Sequence, residues 1–489
     1  MDNDARRADA IHMTPPQDPI TTSPPSRDPG TRLSLIAATL LALLSFFTVA
    51  IWQAQSARQT PPQTSPARIN TVNPQADMAF RMIIKLSWLI ESDPGSVRML
   101  GGYATTPLEQ IYFAIALGEI EGPQAAIDAL DKAKKDAKDP QILADIDTFR
   151  HIYNAALQNT ASETLLDPVE RDGLIDRHGF YARVALTYPL PQTDPQRQGL
   201  RQGAGAILAL IVLVFVIAGA ILVGFALFVA AIVMLALGRI KPRFAPPAPG
   251  GSVFLEVFAL FVLGFLCLKI ATLLVERFMG NDTPAWLGPA SLGAQWLLLL
   301  VPLWPLLRGM RFTDWQKALG LHAERGLFRE VALGILSYLA FLPVYLAAVG
   351  VVIVLMLLRD LIFGPTETPP SNPIVDIMTQ LRGFALVLFF LTAVVWAPLC
   401  EELVFRGALY RHLRGWMPSL LAALVSATVF AFMHSYGALL TPPLIALGFA
   451  FAMMREWRGS IFASMTAHAL HNATLMTLLF VLLSALGDA

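Results

Sequence analysis

The chain has 489 residues, of which 55% are apolar and only 15% charged, whereas a soluble domain carries about 25% charged residues. This deficit argues against an ordinary soluble protein and indicates that lipid surrounds much of the chain. The formal net charge is zero, so the charge balance does not suggest a nucleic-acid partner and none is expected.

Residues 1–32 are rich in Pro, Asp, Ser, Thr and Arg and cannot bury a core, which predicts a disordered cytoplasmic tail. The apolar run that follows, 33–53, is long enough to cross a hydrocarbon core of about 30 Å. We interpret it as a transmembrane anchor. A cleaved signal peptide is the alternative, with Ala54-Gln55-Ser56 as a passable cleavage site. The long leader and the length of the run favour the anchor.

Residues 54–202 are the longest polar stretch. The first twenty are dominated by Pro and Gln and are typical of a linker, after which apolar residues recur at helical spacing. Two such helices meet at Gly122-Pro123, with alanines on their facing sides. One interpretation is a tetratricopeptide-like hairpin, and the other is a plain small helical domain. In either case we expect an extracytoplasmic α-helical domain, whose role is partner recruitment or that of an inert insertion.

Beyond this domain the chain is again apolar, with transmembrane helices predicted over 203–380 and a catalytic transmembrane core over 381–486. The predicted spans are 33–53, 205–238, 252–275, 290–307, 328–358, 383–404, 418–436, 438–454 and 460–486. The fold class is therefore all-α, a polytopic bundle of about nine spans. Cys267 and Cys400 fall inside apolar runs, so we expect buried thiols and no disulfide.

Basic residues support this count through the positive-inside rule. With nine spans, four basic clusters fall on one side of the membrane, and the loops 276–289 and 359–382 on the other side carry few basic residues. We therefore expect an integral protein of a bacterial plasma membrane with a cytoplasmic N-terminus. In this topology 455–458, Arg-Glu-Trp-Arg, is a charged loop.

Polar groups at membrane depth are costly and mark functional sites by default. Three stretches near the C-terminus contain them, and helical rise places them within about 12–24 Å of the cytoplasmic face, so that they can converge at one depth. The stretches contain Glu401, Glu402 and Arg406, then His434, then His468, His471 and Asn472. His468 and Asn472 are four residues apart and share a helix face, whereas His471 points away from that face.

Each of these residues also has a structural explanation. Glu402 and Arg406 can form an ion pair that neutralises buried charge. A single histidine such as His434 can be a hydrogen-bonded core residue, and Asn472 can join two helices. Their joint occurrence within about seventy residues is costly to keep for packing alone, and this favours a functional site.

The three stretches together resemble the CPBP family of intramembrane proteases, which includes eukaryotic CAAX-processing endopeptidases and bacterial bacteriocin-processing or immunity proteins. The family signature Glu-Glu-x-x-x-Arg, Phe-x-x-x-His and His-x-x-x-Asn/Asp corresponds here to Glu401 to Arg406, Phe430 to His434 and His468 to Asn472. The resemblance covers about 383–486. The N-terminal 380 residues have no assigned counterpart.

The resemblance implies an endopeptidase in which Glu401 is the general base and His434 helps to hold the attacking water. His468 and Asn472 would form the oxyanion hole, where one donor is worth about 2.7–4 kcal/mol, and Glu402 and Arg406 would support the site. Such a mechanism needs no metal and no cofactor. Expected substrates are peptides or membrane proteins, with prenylated CAAX proteins as the eukaryotic class.

Three alternatives remain open. Glutamates and histidines also bind zinc, although the chain lacks His-Glu-x-x-His. The same scaffold can be a non-enzymatic immunity or assembly factor that binds a protein partner through its external domain. A proton-coupled transporter is the third alternative, against which the shared face of His468 and Asn472 argues.

Overall fold

The computed structural model describes residues 26–56, 72–90, 94–158, 165–191, 193–280, 284, 286–324, 326–363, 374, 377–378, 381, 383–434 and 438–486. Residues 1–25 of the predicted tail and most of the predicted linker, 57–71, lie outside the described residues. Within the described ranges all named elements are helices, and the sole β-type pairing is an isolated bridge between Arg27 and Ala248. The prediction of an all-α fold is confirmed.

Eight helices between the first two membrane segments form a helical domain with its own apolar core. They are α2 (Pro74–Ser87), α3 (Pro94–Met99), α4 (Pro107–Glu121), α5 (Pro123–Asp136), α6 (Pro140–Leu157), α7 (Pro168–His178), α8 (Phe180–Leu186) and α9 (Pro195–Leu200). Each of these helices except α8 begins with proline, whose missing N–H costs nothing in the first turn. Gly122, with φ of 107°, forms the turn between the antiparallel pair α4 and α5.

Two buried carboxylates fix the shape of this domain. Glu109 accepts hydrogen bonds from the backbone N–H groups of Asn73, Thr105 and Thr106. Burial would raise the pKa of Glu109, but these hydrogen bonds outweigh it and lower the pKa. Asp145 is in a similar environment. Burial opposes its ionisation, but its contacts with His178 and Arg177 outweigh burial and lower its pKa.

Among the residues that the structure describes, seven helices are long and apolar enough to cross a membrane, so the chain is an integral membrane protein. They are α1 (Arg32–Ser56), α10 (Ala204–Ala236), α11 (Val253–Met279), α12 (Leu287–Leu307), α14 (Leu327–Phe363), α15 (Gly383–Arg414) and α18 (Phe462–Leu486), and the short α13 (Phe312–Leu319) lies between α12 and α14. The other two predicted spans coincide with α16 (Ser419–Phe432) and α17 (Thr441–Arg458). At 14 and 18 residues, α16 and α17 are at or below the length of one crossing, and the count of nine stays a prediction.

The helical domain rests on the C-terminal end of α18. Lys85 of α2 is completely buried, and its Nζ donates to the carbonyls of Ala485 and Gln202 at 3.1 Å. The last carbonyls of a helix lack intrahelical donors and carry partial negative charge, so an ammonium group there is doubly favourable. Gly203 packs so closely on the Ser484 carbonyl that a Cβ would lie 2.3 Å from it.

At the other end of the bundle, 455–458 is not a loop as predicted but the last turn of α17. Arg455, Glu456 and Arg458 are all buried. Glu456 accepts hydrogen bonds from Tyr410 at 2.7 Å and Arg414 at 3.0 Å, and Arg458 forms an ion pair with Glu330 at 2.5 Å. The charges stay inside because each has a partner, which is the condition for burying an ionic group.

The first described residues also lie at this end. Residues 26–31, the end of the predicted tail, run beside 248–253, where the Pro29 carbonyl accepts from the Ser252 N–H. Asp28 forms a two-point ion pair with Arg411 of α15, with distances of 2.8 and 3.0 Å. The N-terminal segment is thereby attached to the helix that contains Glu401.

Candidate active site

The helix that supplies the two glutamates, α15, is irregular on both sides of them. It contains π-helical segments at Thr392–Trp396 and Glu402–Leu409, separated by a short α-helical stretch with Pro398. The Ala397 N–H donates five residues back, to Thr392. Proline has no N–H to continue the ladder, and such π segments occur frequently at functional sites.

The irregularity leaves the Ala393 carbonyl without a donor inside its helix, because Ala397 is used by Thr392 and Pro398 lacks an N–H. Asn472 of α18 supplies the missing bond, since its Nδ2 donates to the Ala393 carbonyl at 2.7 Å. The predicted oxyanion donor is thus bonded to the segment that precedes Glu401.

Glu402 and Arg406 form an ion pair inside the bundle. Arg406 Nη1 lies 2.9 Å from Glu402 Oε1, and both side chains are completely buried. The Arg406 guanidinium also lies 4.4 Å from the ring centre of Phe430 and 5.1 Å from that of Phe451. Aromatic faces attract a desolvated cation. The Gly448 carbonyl accepts a hydrogen bond from Arg406 Nη2 at 3.2 Å.

His468 connects the two glutamates. Its Nδ1 lies 3.1 Å from Glu402 Oε1, and its Nε2 lies 3.9 Å from Glu401 Oε2. An ionised carboxylate only accepts hydrogen bonds, so Nδ1 is the donor towards Glu402 and Nε2 faces Glu401. The imidazole is held edge-on by Phe430 at 5.9 Å and stacked on Phe451 at 5.1 Å.

Glu401 differs from its neighbour. Its side chain is 14% exposed, against 0% for Glu402. The buried Oε2 of each glutamate has no hydrogen-bond partner among the described residues, but Glu402 is held through Oε1 by Arg406 and His468, and Glu401 is not. Since a buried polar atom normally has a partner, the Oε2 of Glu401 is a position where a water or substrate group would be bound.

His434 lies two residues after Phe432, the last residue of α16, and its Nδ1 donates to the Phe430 carbonyl at 2.9 Å. That bond leaves Nε2 as the other polar atom of the ring. The Phe430 ring lies 4.8 Å from the His434 ring and also contacts Arg406 and His468. Phe430 therefore links the three predicted motifs.

The structure thus brings Glu401, Glu402, Arg406 and His468 together directly, places His434 beside them through Phe430, and bonds Asn472 to the π-helical segment that precedes Glu401. His471 lies on the α14 side, where its Nδ1 is 3.2 Å from the Tyr338 hydroxyl. Phe451 and Gly448 were not singled out from the sequence. Both look like ordinary members of an apolar run, and no local pattern distinguishes them.

The three motifs lie in the part of the chain that resembles known proteins. Residues 383–474 match the family model described as Type II CAAX prenyl endopeptidase Rce1-like, a range that includes all three motifs. Over 129 residues, 26% of the chain, the sequence is 27% identical to "Uncharacterized protein YpbD" of Bacillus subtilis (strain 168), and the alignment covers 64% of that protein. No solved structure matches. Residues 383–474 therefore form a domain of the Rce1-like family of type II CAAX prenyl endopeptidases.

Proposed function

We propose that the chain is an intramembrane endopeptidase that hydrolyses peptide bonds with a water molecule activated by Glu401. The observation that carries this proposal is the contrast between the two glutamates. Glu402 is completely buried and is held through Oε1 by Arg406 and His468, whereas the Glu401 side chain is 14% exposed and its Oε2 lies 3.9 Å from His468 Nε2. A carboxylate in that setting is suited to proton transfer.

In the proposed reaction, the oxygen of a water molecule held by Glu401 and His434 attacks the carbonyl carbon of the scissile bond. The water proton passes to Glu401. The tetrahedral intermediate then collapses, the C–N bond breaks, and the proton is delivered from Glu401 to the leaving amine. No covalent enzyme intermediate, metal or cofactor enters these steps.

His468 and Asn472 are the proposed oxyanion donors. Glu402 accepts the Nδ1 proton of His468, so Nε2 donates when the ring carries both protons. Asn472 has one N–H on the Ala393 carbonyl, and an amide nitrogen has a second hydrogen for the substrate. The hydrogen bond to Ala393 also fixes the π-helical segment Thr392–Trp396, about two turns before Glu401, which supports a positioning contribution from the same residue.

We place the N-terminus and the four basic clusters in the cytoplasm of a bacterial cell and the helical domain on the opposite side of the plasma membrane. The two ends of α18 support this topology. The helical domain contacts Ala485 through Lys85, whereas the buried charges of Arg455 and Arg458 lie next to the beginning of the same helix. A 25-residue helix is about 37 Å long, which is enough to separate the two membrane faces.

The test is cleavage of quenched fluorescent peptides by detergent-purified protein, beside its Glu401→Gln variant. The panel contains prenylated CAAX peptides and unmodified membrane-segment peptides, and each reaction is repeated with a chelator. Cleavage by the wild type, resistant to chelation and absent from the variant, is expected. Chelator inhibition reversed by zinc would replace this mechanism with a metal-dependent one. No cleavage of any peptide by correctly folded wild type would contradict the proposal.

A second candidate function, a non-enzymatic immunity or assembly factor, is favoured by one observation. The helical domain contains a groove of about 500 Å³, whose lining includes Arg98, Phe113, Leu117, Glu121, Ala125 and Ala129. Such a groove can accept a peptide. If Glu401→Gln and His468→Ala leave the cellular phenotype intact while deletion of residues 54–202 abolishes it, binding rather than hydrolysis is the function.

A further inference from the structure

We propose that Phe451 of α17, a residue outside all three motifs, is a positioning residue that fixes the imidazole of His468. Phe451 is 1% exposed. Its ring is stacked on His468 with a centroid distance of 5.1 Å and an interplanar angle of 25°. The same ring lies 5.1 Å from the guanidinium carbon of Arg406.

The arrangement forms a closed set of contacts. Arg406 binds Glu402, Glu402 accepts from His468, and His468 stacks on Phe451, which contacts Arg406 again. The hydrogen bond to Glu402 fixes one ring nitrogen of His468 but leaves the ring free to rotate about that bond. A face-on contact removes this freedom, and Phe451 is the residue that stacks on the ring. Nε2 is thereby directed towards Glu401.

Helix α17 can supply this contact only because Gly448 lets it approach closely. A Cβ at position 448 would lie 2.9 Å from the Ala427 Cα, closer than real Cβ atoms approach, and would make a tight contact of 3.3 Å with Phe430. Phe451 is three residues further along and therefore on the same face of the helix as Gly448. The close packing of α16 and α17 brings Phe430 and Phe451 to the same guanidinium.

The chain provides a matched control on the same helix. Phe449 is two residues away, faces another apolar cluster around Tyr410 and Ala452, and is half-buried. Phe449→Leu therefore makes the same chemical change as Phe451→Leu without touching the site. A loss of packing alone would affect both variants, whereas a positioning role predicts effects at Phe451 only.

The first readout does not depend on peptidase activity. Diethylpyrocarbonate modifies unprotonated imidazole, and mass spectrometry of the full-length protein in detergent measures the rate at His468. Because His468 is only 4% exposed, slow modification is expected in the wild type. Phe451→Leu is expected to raise this rate several-fold, and Phe449→Leu to leave it unchanged. Equal rates in the two variants overturn the proposal.

The second readout rests on the proposed function. Misplacing a catalytic group by about 1 Å costs up to about a hundred-fold in rate, so Phe451→Leu is expected to lower kcat at least about ten-fold with KM little changed and to alter the pH profile of kcat. Phe451→Tyr retains the stacked ring and is expected to restore both kcat and the protection of His468. If Phe451→Leu does not fold, the modification rate of His468 in Phe451→Tyr tests the proposal instead. Fast modification of His468 in this variant, which retains the aromatic ring, would overturn the proposal.

The two possible failures are distinguishable. If the wild type cleaves nothing, the proposed peptidase function fails, and the modification rates still decide whether Phe451 holds His468. If the wild type cleaves peptides and Phe451→Leu matches Phe449→Leu in kcat and in the modification rate, only the positioning role fails.

Discussion

The buried pair of Glu402 and Arg406 offers a test of the site that does not require a substrate. Both side chains are completely buried and 2.9 Å apart. Removing one partner of such a pair leaves the other charge uncompensated, which typically costs about 3–5 kcal/mol. We therefore expect Glu402→Met and Arg406→Met each to lower the free energy of unfolding by about that amount.

The surroundings predict which variant is more severe. Without Glu402, the guanidinium still lies against Phe430 and Phe451, and cation–π contacts retain about 2 kcal/mol when desolvated. Without Arg406, the Glu402 carboxylate retains the hydrogen bond with His468 at 3.1 Å but has lost its permanent counterion. Arg406→Met is thus expected to be the more destabilising change.

The double variant separates pairing from simple loss of contacts. Additive effects would cost about 6–10 kcal/mol, whereas replacing a whole buried pair by apolar residues of similar volume is often close to neutral. We expect the double variant to be more stable than either single variant, yet inactive, because His468 has lost its acceptor. Reversible unfolding by sodium dodecyl sulfate in mixed micelles, followed by far-UV circular dichroism, measures all four proteins. Single effects below about 1 kcal/mol that simply add would refute the reasoning.

Three further predictions concern other parts of the molecule. Glu109→Gln should reduce the stability of the helical domain by about 1–3 kcal/mol. Folding lowers the pKa of Glu109, so the ionised Glu109 stabilises the domain above the unfolded pKa of about 4.3, and this stabilisation is lost as the pH falls below that value. Amide hydrogen exchange should show this acid dependence in the wild type and not in the variant. Lys85→Met should accelerate amide exchange in the last turn of α18, with exposed Lys132→Met as the unaffected control. Gly448→Ala should cost about 1–3 kcal/mol through overpacking, measurable in the same micelle assay, whereas Gly219→Ala, in open space, should not.

Helices with a repeating apolar face could be predicted from the sequence, and buried charges could not be placed. Periodicity located α4 to α6 because an amphipathic helix shows its buried face in every turn. The nine-span topology predicts a loop at Arg458, whereas this residue is buried in the last turn of α17. Its partner Glu330 is 128 residues away in sequence, so no local pattern indicates the pairing that allows its burial.

In the candidate site too, pairs of residues at helical spacing could be predicted from the sequence, and contacts between distant segments could not. Spacing alone put Glu402 four residues before Arg406 and His468 four before Asn472, and helical geometry made those pairs visible. The π-helical segments of α15 were not predicted, although Pro398 is visible in the sequence, because a proline also permits a kink or a helix end. Phe451 was missed because a single phenylalanine in an apolar helix has no signature until its neighbours are known.

The two adjacent glutamates of α15 lie in different environments, a difference that amino-acid composition cannot show. A step of one residue turns the side chain by about 100°, so Glu402 faces Arg406 and His468 while Glu401 faces a different environment. If both carboxylates only supported the packing, both would have partners, as Glu456, Glu330 and Glu402 do. Glu401 has no partner at hydrogen-bond distance among the described residues, and its Oε2 lies 3.9 Å from His468 Nε2. The buried Oε2 of Glu402 also lacks a hydrogen bond, but Glu402 is held through Oε1 by Arg406 and His468 and is completely buried, whereas the Glu401 side chain is 14% exposed. The carboxylate that is unpaired and partly exposed is the one best placed to receive a proton from water, and this is the physical reason for assigning the chemistry to Glu401 rather than to Glu402.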